Sequence, residues 1–70
     1  MELAGASLEM VLTAYDETVQ DALAQGQAQA VAHREGITAA AMCLAATDGI
    51  EDAEALATVR ALDFAALLAD

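Results

Sequence analysis

Leu8, Leu12, Tyr15, Val19 and Ala22 follow one another at spacings of four, three, four and three, with Val11 and Leu23 beside the seam. That alternation is a heptad stripe and predicts an amphipathic helix. Its other side carries Glu9, Thr13, Asp16, Glu17, Gln20 and Asp21, so the helix is acidic wherever it meets water. Ser7 stands where an N-cap belongs, Glu9 falls in the first turn, and residues 1–6 read as a lead-in outside the helix. Gly26 suits the left-handed residue that closes a helix. A rival reading carries the stripe through Gly26, Ala30, Arg34, Ile37, Ala41 and Leu44 as one long helix to Thr47. The break is preferred, because Gly26, Ala30 and Arg34 make a poor contact surface.

From Gly36 through Thr47 the chain holds no charge and is apolar or small on every side. A helix that is apolar all round must be covered all round, so this stretch predicts a central helix over 27–47. Ile37, Ala41 and Leu44 share one face, Ala39, Met42, Cys43 and Ala46 occupy the rest, and Met42, Cys43 and Leu44 are all expected to be enclosed, by neighbours within the molecule or by another copy. Small residues here permit close helix approach. Gly49 then sits at a helix end, Ile50 can fold back onto Leu44 or Ala45 in a Schellman turn, and Asp52, or Glu51 less well, caps the next helix with Glu54 in its first turn. That last helix, 52–69, carries two stripes on nearly opposite sides. Ala55, Leu56, Val59, Leu62 and Ala66 form one, and Ala57, Ala61, Phe64 and Leu68 form the other. The second stripe is either wrapped by the first helix or left open, and in the open case Ala57, Ala61, Phe64 and Leu68 are the candidate interface. The pattern therefore predicts an all-α fold, a single helical domain over 1–70 built as a three-helix bundle with helices near 7–25, 27–47 and 52–69.

Composition changes this picture in one respect. A chain of 70 residues buries only about 60% of the surface its unfolded form exposes. Twenty of its apolar residues are alanine, which favours helix but fills little core. Assembly as a homodimer or higher homo-oligomer is expected to supply the missing burial. The absence of proline and the presence of only four glycines agree with an all-helical chain.

Charge narrows the partners. Twelve acids against Arg34 and Arg60 give a net charge of −10, which repels nucleic acid and anionic membrane surfaces alike. Direct nucleic-acid binding is not expected, whereas a basic protein partner is compatible, and the charge also keeps an alanine-rich surface in solution. A single cysteine, an N-terminus without basic residues and an uncharged run too short for a bilayer predict a cytoplasmic protein. The alanine-rich, lysine-free composition is that of a GC-rich bacterial or phage coding sequence.

Candidate chemistry is sparse. His33 has no catalytic partner at a recognisable spacing and reads as an exposed residue near acids. A di-metal carboxylate bundle needs a Glu three residues before its His, and Ala30 stands there. Asp48, Glu51, Asp52 and Glu54 resemble a calcium loop only in composition, since Ala46 and Leu44 occupy the earlier ligand places. Cys43 lies in the most apolar stretch and reads as a small hydrophobe. Neither glycine turn has the spacing of a phosphate loop. Gly5-Ala6-Ser7-Leu8-Glu9 before an acidic helix resembles the serine region of acyl carrier proteins, but Ala6 replaces the aspartate of that motif, so Ser7 is read as a cap. No catalytic, metal or cofactor residues are assigned, and no enzyme is expected. The function expected is a small acidic protein-interaction or self-assembly module, with an acidic decoy for a basic nucleic-acid-binding protein as the alternative.

Overall fold

The computed structural model describes residue 3 and residues 5–69, folded as four helices: α1 (Gly5–Ala24), α2 (Gln29–Asp48), α3 (Asp52–Arg60) and α4 (Phe64–Leu67). The all-α bundle expected from the pattern is what forms. Its helix ends differ in ways that follow from local chemistry.

Gly26 ends α1 with φ at 86°. The Gln27 amide donates to the Ala22 carbonyl at 3.1 Å and the Gly26 amide to the Leu23 carbonyl at 3.0 Å, which is the paired bond set of a Schellman turn. The continuous-helix alternative is thereby excluded. The new helix starts at Gln29 instead of residue 27, with Ala28 extended before it and no side chain capping it. At the other end Gly49, φ 68°, accepts the left-handed role, but its amide makes a single bond to Ala45 in place of the expected Schellman pair. Glu51, the less favoured candidate, takes the N-cap position of α3 without a side-chain bond, and Asp52 and Glu54 lie in its first turn.

Ser7 is not a cap. Gly5 and Ala6 already belong to α1, while Met1, Glu2 and Ala4 of the expected lead-in lie outside the described residues. Ser7 is buried, and its hydroxyl donates to Asp48 Oδ1 at 3.0 Å. This bond ties the first turns of α1 to the end of α2 and shows the two helices antiparallel. It also places the Asp48 carboxylate, which the C-terminus of its own helix disfavours, beside the start of α1, which favours it.

The inward line of α1 differs from the heptad seam by a fraction of a turn. Val11, placed on the flank by the spacing, is fully buried, whereas Leu8, Leu12, Tyr15 and Val19 are only partly so. Val11 centres the contact because α2 presents small residues to α1 and the two backbones sit close together. On α2, Ala32, Gly36, Ile37, Ala40, Ala41 and Leu44 are buried. Val11, Ile37, Ala40, Ala41, Leu44, Ala55, Val59 and Phe64 make one core, flanked by Leu3, Leu12, Tyr15, Ala45, Ile50, Leu56 and Leu62.

The two opposed stripes of the expected last helix are reconciled by breaking it. In an unbroken helix Val59 and Phe64 would stand about 140° apart and only one would face inward. The chain turns at 61–63, Asp63 Oδ1 accepts the Ala66 amide at 3.2 Å as the cap of α4, and both Val59 and Phe64 become buried. The asparate before Phe64 was the available signal, since that residue type favours an N-cap over a helix interior.

The tightest contact lies where α1 crosses α2. A β-carbon built on Gly36 would sit 2.7 Å from Tyr15 Cδ2 and 2.8 Å from Val19 Cγ2, distances that side chains do not tolerate. Tyr15 cannot easily retreat, because its ring stacks on Phe64 with centroids 3.9 Å apart and planes 16° from parallel. Alanine ordinarily stabilises a helix by about 1 kcal/mol relative to glycine. Gly36→Ala is instead expected to destabilise by about 1–3 kcal/mol, the cost of overpacking. Gly5→Ala, with nothing within 4 Å of the added carbon, is expected to be neutral or stabilising. Urea denaturation of both variants checks the contrast, and a more stable Gly36→Ala protein would contradict the close approach.

Candidate interaction surface

Two features of this fold carry potential function, an aromatic cluster at the helix crossing and an open face on α2. The cluster is built on Tyr15, which α1 places over Gly36 of α2. Its hydroxyl oxygen lies 2.6 Å from His33 Nδ1, and the two rings meet edge-on with centroids 5.5 Å apart and planes 77° apart. His33 thus has a defined partner, a phenol and not the acids the sequence placed near it. Sequence spacing gave no sign of this pairing, which joins different helices. Burial pushes the Tyr15 phenol above the usual tyrosine value, and the neighbouring Asp16 charge adds to the shift. The neutral phenol is therefore favoured. The pair joins α1 to α2 across the helix crossing.

Cys43 is half-buried and lines a shallow groove between α1 and α2 with Ala6, Glu9, Met10, Thr13, Ala14 and Glu17. Among the described residues, no group of three or more histidine, cysteine, aspartate or glutamate side chains is placed to hold a metal ion. Among the same residues, no helix is long and apolar enough to cross a membrane.

The four residues assigned to an interface do not form one open stripe. Phe64 is 4% exposed and belongs to the core, held there by Tyr15 and the turn at 61–63. Ala57 and Ala61 are exposed methyl groups, and Leu68 is 41% exposed beside Leu67 near the end of the chain. Wrapping by the first helix, the other outcome weighed for this stripe, is what Phe64 adopts.

Among the described residues, the most exposed large apolar side chain is on α2. Met42 is 68% exposed, Leu44 is fully buried and Cys43 is between them, so the uncharged stretch is not enclosed all round within one chain. Cover from within one chain is incomplete for a physical reason. Alanine demands little burial, and α1 and α3 contact only part of the circumference of α2. Counting about 100° per residue, Thr38 and Met42 stand about 160° and 120° around the helix from Gly36, well away from α1. Shallow grooves flank Met42 on both sides. Arg34, Glu35, Thr38 and Ala39 line one, and Thr38, Ala41, Asp52 and Leu56 line the other. A helical wheel of this stretch contained the signal, since Arg34, Thr38 and Met42 share a ridge at four-residue spacing and a charged residue marks it as the outer side.

Comparison of the chain with protein-family models, with curated proteins and with solved structures finds no match.

Tyr15 is the only tyrosine, so its ionisation can be followed by ultraviolet absorbance without assignment. Because the folded value is raised, the stability this group contributes is fully present below the unfolded value of about 10 and is lost as pH climbs through the folded one. The folded protein is expected to titrate at higher pH than the same chain in concentrated urea. An equal or lower midpoint would contradict the burial of this ring.

Proposed function

We propose that this chain is a non-enzymatic helical module that works by associating with protein, first of all with itself. One observation carries the reading: a methionine two-thirds exposed in the middle of an uncharged helical stretch. Full burial of such a side chain stabilises by about 1.5–3 kcal/mol. A symmetric pair gains that twice, along with cover for Ala39 and Ala46. Set against an association cost of at least about 4 kcal/mol, Met42 alone leaves little net affinity, so the assembly is weak and draws on the polar and alanine surface around that side chain as well.

A second reading, binding of a basic protein as a decoy for nucleic acid, is favoured by the outer side of α1. Glu9, Thr13, Asp16, Glu17, Gln20 and Asp21 are all exposed and run along about 18 Å of helix with no cation among them. Such binding is strongest at low salt and fades once the screening length falls below the spacing of the charges.

Light scattering across a concentration series separates the two. Self-assembly predicts a mass that rises with concentration and a Met42→Glu variant that stays monomeric with unchanged helix content. A strictly monomeric wild-type protein at high micromolar concentration removes that reading. Capture of a basic protein at low but not high salt would then favour the second.

A further inference from the structure

We propose that the face around Met42 is occupied by a second copy of the chain, packed α2 against α2 in antiparallel sense about a two-fold axis near Thr38. The inference rests on the self-assembly reading and adds its geometry. Arg34, Thr38 and Met42 form one ridge, with about 12 Å between its two ends. An axis at Thr38 exchanges residues equally spaced from it, so Met42 of each copy meets the Arg34–Glu35 turn of the other. That turn lines one groove beside Met42, and Asp52 lines the other. The same operation therefore carries each Arg34 to the groove whose rim holds the other copy's Asp52, while its aliphatic stem lies along the other copy's Met42. The surface is self-complementary in shape and in charge, as a two-fold contact requires.

Charge selects a copy over a basic partner at this face. A basic surface would bring like charge against Arg34, one of only two cations in the chain. Two molecules of net charge −10 repel, yet this approach keeps the exposed acids of α1 away from the contact, because Met42 stands about 120° around α2 from the α1 crossing at Gly36.

The test is a charge exchange on the full chain, read by sedimentation equilibrium with circular dichroism as the folding control. Arg34→Glu and Asp52→Arg each replace two attractive pairs with two repulsive ones, and each is expected to weaken dimerisation by about tenfold or more. The double variant recreates the pair in reverse and is expected to return to within a few-fold of wild type. Singles that weaken assembly without recovery in the double overturn the arrangement. So do singles that leave the dimer intact; if Met42→Glu still abolishes that dimer, self-assembly stands and only its orientation falls. A wild-type chain that remains monomeric and binds only a polylysine peptide, through Met42 and reversibly with salt, overturns both readings and assigns the face to a basic partner.

Discussion

At Gly36 the backbone of α2 comes close enough to α1 that the Tyr15 ring occupies the space a β-carbon would need. The rest of the packing follows from that approach. With α2 held close, Val11 reaches the centre of the interface and Ala32, Ala40 and Ala41 suffice as core residues where larger side chains would hold the helices apart. The ring that fills the Gly36 notch also offers a flat face to Phe64 and a hydroxyl to His33. Stacking of this kind adds about 0.5–1.5 kcal/mol beyond the area it buries. It reaches from α1 to α4, elements whose remaining contacts are few, so one tyrosine joins the first and last helices of a chain too short to build a deep core.

Helix content, the turn at Gly26 and the turn at Gly49 were legible in the residues because each rests on local backbone chemistry. Both glycines adopt the positive φ that a left-handed helix terminus favours. The division of 52–69 was not read, although its cause, Asp63 before Phe64, is local. Two apolar stripes on opposite sides of one helix pose a burial problem that a break solves, whereas spacing alone equally allows one stripe to stay open as an interface. The rotation of α1 that centres Val11 was hidden for a different reason. Side-chain spacing defines a stripe about as wide as the leucines that make it, and only the close approach of α2 decides which line within it lies deepest.

The site was less legible than the fold. The uncharged stretch of α2 suggests a need for cover on all sides, but counting apolar residues overstates the demand when five of its twelve positions are alanine. A single large side chain, Met42, marks where cover is absent, and Arg34 and Asp52 at the edges of its grooves give that face a sense of direction. The acids are arranged to other effect. Those of α1 face outward, away from the crossing with α2, where they do not oppose the packing inside the molecule.

The claim on which this account depends is the seating of the Tyr15 ring directly over Gly36. A proton spectrum with through-space contacts measures it directly, because the ring current displaces α-protons held against an aromatic ring from their random-coil positions. The account predicts Gly36 α-protons displaced from their random-coil position, with cross-peaks to the Tyr15 ring and from that ring to Phe64. Gly36 α-protons at random-coil positions, with no contact to an aromatic ring, would contradict it.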